Sequence, residues 1–399
     1  QADSLLQQIA ETNAQITDAE GGQGNSNSLR DSRDQLIREL SELIDVSTVN
    51  HDSGATDVFL NGTPLVIGAV NRGIDVQFTS NNASQQVVNI RVGEDGTYLY
   101  PQSGSIGSLI DTREGDVVNA INTIDQFIGS LIYEVNRVHS QGQGDAKFST
   151  VTGTYNVADT TASLTHADAE LDFIPGHGSF KLHVTQKSTD TRQAYQINID
   201  LDGLGGPDMS LDDLVTAINA AGANVTASAT IDGRLKIDAD SSDYEFSFSD
   251  DSSGVLAALG INTFFTGSSG LDVGVNEAII AQPHLLATTA NHAAGGNATA
   301  LAISELQQTD LQALGGISLP ELWSRHIEDY AVRTAQADLT NQSATTVVES
   351  LTVQRSAVSG VAVDEEAIDL VQFQRAYQGS ARFLSVVDQL MDTLLSLVR

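Results

Sequence analysis

Two acidic stretches carry the residue types of calcium loops: DADSSDYEFSFSDD at 238–251 and DLDGLGGPDMSLDD at 200–213. An EF-hand loop needs glycine at its sixth position for the sharp turn and a bidentate carboxylate at its twelfth. The first stretch has Asp243 and Ser249 at those positions, and the second ends on Leu211, so neither qualifies. His139, His166, His177, His183, His284, His292 and His326 include no pair at metal-ligand spacing on a shared helix and read as surface or capping residues. No G-x-S-x-G elbow, P-loop or G-x-G-x-x-G occurs, since DGLGGPD lacks both the spacing and a following phosphate-binding helix. The absence of cysteine excludes a disulfide framework and a thiolate metal site. No segment joins a nucleophile, a base and an orienting group. The chain therefore reads as no enzyme, with no cofactor and no metal.

Composition narrows the partners. With 52 Asp and Glu against 19 Lys and Arg, the net charge is −33, which repels nucleic acid and anionic lipid alike. No apolar run reaches the about 18 residues of a membrane span, and no secretory signal pattern opens the chain. Its first residues, QADSLLQQIAETNAQITDAE, read as mid-helix without a start signal. Proline is scarce, at 6 residues, and only 5% of residues are aromatic, which suits long helices better than an aromatic-lined pocket.

Periodicity places the elements. Residues 1–20 put Leu5, Ile9 and Ile16 on one helical face, and SLRDSRDQLIRELSELIDV continues as a second helix with Ser28 as its cap. Arg30, Arg33 and Arg38 lie beside Asp31, Asp34 and Glu39 and are read as register-setting pairs between packed helices. DVFLNGTPLVIG, IDVQFTS, QVVNIRV and TYLYP then read as hairpins. A third helix begins near Arg113 and carries Ile121, Ile124, Ile128 and Leu131 to a stop near Asn136 and His139, which are expected to satisfy terminal carbonyls. The strands SFKLHVTQ, YQINIDL, NVTASATIDGRLKIDA and YEFSFS, with the helix SLDDLVTAINAA, form a second β-rich block. Helices over 297–314, 321–359 and 364–399 follow, with Gly360 ending one and Asp364 capping the next.

The last helix decides the reading. Alternating three and four steps through Leu370, Phe373, Tyr377, Ser380, Leu384, Val387, Met391, Leu394 and Val398 give one apolar seam with a single polar member. Phe383, Leu390 and Leu397 form a second file, too wide for a two-stranded coil to bury, so neighbours from other chains are expected. The fold class that follows is α+β and elongated: terminal helices packed as a coiled-coil-like shaft, with two β-rich domains inserted between them. Its expected parts are 1–46 (N-terminal shaft), 47–103 (small β unit), 104–144 (shaft helix), 145–275 (outer β-rich domain), 276–359 (C-terminal shaft helices) and 364–399 (terminal assembly helix). Leu36, Leu40, Leu43, Ile121, Ile124, Ile128, Leu131, Val348 and Leu351 are the expected shaft-packing residues.

These stretches resemble a known family. LRDSRDQLIRELSELIDVSTV entering VFLNGTPLVIG, SGSIGSLIDTREG, the Asn136, His139 and Gly142 signature in EVNRVHSQG, and the tail SGVAVDEEAIDLVQFQRAYQGSARFLSVVDQLMDTLLSLV are similar to the flagellar hook-associated protein 1 family. In the tail the matching positions are Asp364, Glu365, Glu366, Gln374, Tyr377 and Ala381, and LDDLVTAINAAGANVTASATIDGRLKI looks like an insertion module of flagellar axial proteins. The family opens with an N-terminal helix pair unmatched here, so the resemblance implies a fragment lacking those helices. It further implies a secreted, extracellular structural subunit joining hook to filament. Its implied partners are copies of itself, the hook protein, the second junction protein and an export chaperone on the C-terminal helix. The alternatives are an acidic adhesin or carbohydrate-binding module on a helical stalk, or a related hook or rod axial protein.

Overall fold

The structure is a computed structural model that describes residues 1–21, 26–80, 86–290, 295–311, 314–359 and 363–397. It divides into two units, Gln1–Leu319 and Pro320–Arg399. The architecture is mixed α+β with long terminal helices.

The first unit opens with an antiparallel pair, α1 (Ala2–Glu20) and α2 (Asn27–Leu43). A four-stranded sheet follows, with β1 (Val46–Asn50), β2 (Thr56–Leu60), β3 (Thr63–Ile67) and β4 (Val70–Asn71) in sequential order. A second sheet joins β5 (Ile74–Ser80), β6 (Gln86–Val92) and β7 (Tyr98–Leu99). Leu5, Leu6 and Ile9 of α1 and Leu40 of α2 share one core with Val58, Leu60, Leu65, Val66, Val92 and Leu99. The apolar face of α1 is thus spent on this chain's own sheets, where the sequence reading reserved it for a shaft. Leu36 and Leu43 pack against the same core. Strand β1 escaped the reading because nearly all of it is exposed, so no apolar alternation marks it.

Asn13 welds the helices to the sheet. Its Nδ2 donates to the carbonyls of Thr56 (2.8 Å) and Gly68 (2.6 Å), and its Oδ1 accepts from Thr56 N (3.1 Å). Arg33, buried beside it, donates from Nη1 to the Gly54 carbonyl at 2.6 Å. Arg30 makes a two-pronged pair with Glu20 across the helices, at 2.8 and 2.6 Å. Those hydrogen bonds and one from Ser26 N–H hold the Glu20 carboxyl down to about 2. Of the three arginines expected to pair between packed helices, Arg30 does so; Arg33 has Asp34 at 3.8 Å and Arg38 reaches Gln35, both local contacts. Ser28 lies inside α2, behind Ser26, whose side chain makes no cap.

Helical structure resumes earlier than periodicity suggests, at α3 (Gly104–Asp111), and passes through a π-helical turn (Thr112–Val117) into α4 (Val118–His139). Gly104 has φ +77°, and a Cβ there would sit 2.6 Å from the Leu43 carbonyl, so the chain can turn past the end of α2 only with glycine.

The second lobe holds the largest core. Strand β8 (Thr150–Thr152) is followed by β9 (Gly178–Gln186), β10 (Thr191–Ile199), α5 (Leu211–Ala220), β11 (Val225–Ala229), β12 (Leu235–Ala239), β13 (Tyr244–Ser249) and the short α6 (Val255–Ala258). Two three-stranded sheets, ordered β10-β9-β13 and β11-β12-β8, enclose Phe180, Leu182, Phe246, Phe248, Leu214, Ile218 and Ile237. A reciprocal Ser210–Asp213 capping box starts α5. Strands β14 (Phe265–Thr266) and β15 (Gly274–Val275), then α7 (Glu277–Ala281) and α8 (Ala298–Glu305), complete the unit. The helix expected over 297–314 stops at α8 because Leu306, Leu311 and Leu319 all turn into a small core on Val135 of α4, which one straight helix could not supply.

The second unit, from Pro320, comprises α9 (Leu319–Ser359) beyond its first residue and α10 (Val363–Leu397). No described side chain from Ala331 to Met391 is buried. Along α9 the hydroxyls of Thr334, Thr340, Thr345, Thr346 and Thr352 bond back to carbonyls one turn earlier, which satisfies these side chains within the helix. Asp364 falls inside the first turn of α10 and not before it, and Gly360 lies outside the described residues.

Removing the Asn13 amide should be felt locally. Asn13→Ala leaves the Thr56 N–H and C=O buried and unpaired, and should lower the hydrogen-exchange protection of the Leu6 and Ile9 amides by about 2–4 kcal/mol. Gln8→Ala, on the exposed side of the same helix, should change it by less than about 0.5 kcal/mol.

Candidate functional site

The acidic stretches spend their carboxylates on the protein itself. Asp243 accepts from Gln186 Nε2 (2.9 Å), Ser188 N (2.9 Å) and Ser188 Oγ (2.7 Å) and so fastens the hairpin turn before β10. Buried Asp251 accepts from Ser253 N, Gly254 N and Leu256 N at 2.8–2.9 Å and caps α6. In the other stretch Asp202 and Asp208 take the amides of Leu204 and Gly203, both at 2.8 Å. His177, Asp200 and Asp202 lie close enough to share an ion, but all three are exposed and Leu201 N donates to His177 Nδ1.

Of the other histidines, His166 caps a short turn by accepting from Asp168 N, His183 bonds Ser249 Oγ at 2.7 Å, His284 sits 3.7 Å from Asp145, and His326 is on α9. His292 lies outside the described residues. His139 departs from expectation. It is fully buried, and it does not serve its own helix end.

Asn136 and His139 instead reach out of α4 and grip loops far along the chain. Asn136 Oδ1 accepts from Phe264 N and Phe265 N, both at 2.9 Å, while its Nδ2 donates to the Phe265 carbonyl at 3.0 Å. His139 Nδ1 lies 2.8 Å from the Asn262 carbonyl, and its Nε2 accepts from Ala287 N at 3.0 Å. Asn262 returns the contact, donating to the carbonyls of Ser140 (3.1 Å) and Gly142 (2.9 Å). Gly142 must be small, since a Cβ would fall 2.5 Å from Thr299 Oγ1 and 2.9 Å from Ala287 Cβ. The motif is therefore a joint that ties α4 to the 260–265 and 284–289 segments. Spacing one turn apart was visible in the sequence, but partners more than a hundred residues away were not.

The second feature is the bare seam of α10. Leu370, Phe373, Tyr377, Leu384, Val387 and Met391 are all exposed, Phe373 at 75% and Tyr377 at 78%. For Leu394 only the helical backbone is described, and Val398 lies outside the described residues. Ile121 and Ile124 of α4 and Val348 and Leu351 of α9 are also exposed, whereas Ile128 and Leu131 are half-buried. Such a surface has nothing to react with; what it offers is apolar area at helical spacing.

Comparison with known proteins gives this arrangement its class. Residues 1–152 match the Flagellar hook-associated protein FlgK helical domain, 179–241 the Flagellin hook IN motif, and 353–397 the Flagellar basal body rod FlgEFG protein C-terminal. The first match covers both β sheets of the first core and the joint on α4, the second runs from β9 to β12, and the third takes in α10. These segments define a structural protein of the bacterial flagellum. Flagellar hook-associated protein 1 of Escherichia coli is 25% identical over 418 residues, covering 100% of this chain and 69% of that protein. The protein of the same name from Salmonella typhimurium is 26% identical, covering 100% and 70%, and that of Bacillus subtilis 22%, covering 98% and 63%. Across its whole length the chain is similar to members of the flagellar hook-associated protein 1 family. The flagellar hook junction protein FlgK from Burkholderia pseudomallei superposes with a TM-score of 0.48 at 16% identity, over 90% of this chain and 82% of that one.

The joint can be tested sterically. Gly142→Ala should cost about 1–3 kcal/mol of stability by overpacking. Thr299→Ala, which clears the nearer clash with Oγ1 and leaves the Ala287 Cβ in place, should recover about half of that loss in a double-mutant cycle read by urea denaturation.

Proposed function

We propose that this chain is a structural subunit of the bacterial flagellum that joins hook to filament and assembles by lateral packing of its helices. The observation that carries the reading is the exposed α10 seam, from Leu370 to Met391, on a helix roughly 50 Å long. An isolated helix of this kind gains little from propensity alone and is ordered by what packs on it. Copies of the same chain supply such packing in a repeating form, and repetition lets individually weak contacts add. The exposed stripe of α4, at Ile121 and Ile124, and the Val348–Leu351 region of α9 extend the surface available to neighbours. By contrast α1 and α2 have their stripes engaged already, so Leu36, Leu40 and Leu43 hold the subunit together and contribute no contact between subunits.

The same reading assigns the remaining roles. The segments 104–144, 276–359 and 364–399 take the helical shaft role, and 47–103 and 145–275 are the β-rich parts. Other flagellar axial proteins, the hook protein and the second junction protein among them, meet the ends of the assembly. A bare apolar helix is also what an export chaperone must cover before secretion to the cell exterior. Catalysis has no part in this role: the work is done by shape and apolar area.

Charge in the seam should abolish assembly while sparing the fold. Leu384→Asp or Phe373→Asp should weaken self-association at least about 10-fold, as for central contacts of an interface. Ring or cap formation followed by sedimentation and electron microscopy reads the effect, and the unfolding midpoint of the first unit should not move. Assembly by the Asp variants at wild-type concentration would remove α10 from the proposed contact.

A further inference from the structure

We propose that His139 is an acid-sensitive latch: as a neutral ring it holds the 284–289 segment against the end of α4, and protonation releases that segment. The inference stands on the geometry of the joint and does not depend on how subunits assemble.

The partners fix the tautomer. A carbonyl can only accept, so the nitrogen 2.8 Å from the Asn262 oxygen, Nδ1, carries the hydrogen. Nε2 must then present its lone pair to the Ala287 N–H at 3.0 Å. Adding a proton at Nε2 sets one donor against another, so the bond to Ala287 is lost and a charge is left inside the protein.

Nothing described around the ring compensates that charge. On α4, Glu134 and Arg137 are paired with each other at 2.9 Å. On the segment after α4, Lys147 is bound to Glu245 and Asp145 lies 3.7 Å from His284, itself exposed on the 283–289 side. The 260–265 loop contributes no ionisable side chain, only the Phe264 ring 5.8 Å away, and on α8 the one ionisable group, Glu305, is exposed. Burial pushes the imidazole below its ordinary value, with the Asn262 bond opposing in part. A histidine depressed in the closed form favours closure fully above its ordinary value of about 6.5, and that contribution is lost as pH falls below it.

Release would not stop at one bond. Gln143 pairs with Thr289 through backbone bonds of 2.8 and 3.1 Å, and Ala146 N donates to the His284 carbonyl at 2.9 Å. The Thr288 carbonyl accepts from Thr299 N at 3.1 Å, so the opened stretch leads directly into α8 and the small core that anchors Leu319. Acid would thus loosen the root from which the C-terminal helices leave the first unit.

The test is hydrogen exchange of the full chain, with rates referred to intrinsic exchange at each pH. Protection of the Ala287 amide should fall about 10-fold between about pH 7.5 and about pH 5.5, the change expected when the open form titrates near 6.5 and the closed form does not. His139→Gln, which keeps an acceptor and cannot titrate, should abolish the dependence, while His284→Gln should retain it. Nitrogen shifts of His139 in the unaltered chain provide a second reading if His139→Gln fails to fold: Nε2 should stay bare in the closed form across this range while Ala287 loses protection. A His139 that titrates near 6.5 with Ala287 protection unchanged, or an undiminished pH response in folded His139→Gln, would overturn the proposal.

Discussion

The structure turns on where apolar helical surface can leave water. A buried Leu, Ile or Phe side chain contributes about 1.5–3 kcal/mol relative to an exposed one, so a helix with a long apolar seam is committed to finding cover. Two helices of this chain meet that demand differently. In α1, Leu6 and Ile9 are fully covered by α2 and the adjoining sheets. In α10, the seam is in water from Leu370 to Met391. The first helix is part of a finished core, and the described seam of the second has no cover within this chain.

Within the finished cores, one device recurs. An asparagine amide copies a peptide group, offering a donor and an acceptor in one plane, and four of them bridge elements that no ladder connects. Asn13 takes both backbone groups of Thr56, Asn136 takes the strand at Phe265, Asn219 takes the N–H and carbonyl of Ala227, and Asn262 collects the carbonyls beyond α4. The first three serve strand backbone groups with a side chain, and Asn262 covers the carbonyls where α4 ends. Leaving such backbone groups unpaired in the interior would cost on the order of 1–3 kcal/mol apiece. The joints thus let short sheets and helices of modest size behave as one unit.

Much of this was legible in the sequence. The seam of α10, the hairpins at Asn61-Gly62 and Asp232-Gly233, and the helix from Leu211 all follow from spacing and turn chemistry, which are local. What stayed hidden was non-local. Arg30 was read as pairing between packed helices, but its partner there, Glu20 of α1, could not be named from spacing. Asn136 and His139 looked like helix-end residues because their true partners, at 262–265 and 287, lie in a different part of the chain. The stripe of α1 was assigned to the helical shaft because a periodic pattern reports that a face is buried and not what buries it. The same limit applies in reverse to the acidic loops: calcium spacing fails by inspection, but that Asp243 and Asp251 would fasten turns and caps needed coordinates.

Net charge sets the terms on which copies can meet. At −33, like-charged subunits repel at long range, and only close apolar contact or screening by salt can offset that. The most direct measurement is hydroxyl-radical footprinting of Met391 and Tyr377, in the dilute chain and in the assembled junction, with Met209 of the second lobe as the internal reference. Both α10 residues should react readily in the dilute chain and become strongly protected on assembly, with Met209 unchanged. Protection already complete in the dilute monomer, or reactivity that assembly leaves untouched, would contradict the account.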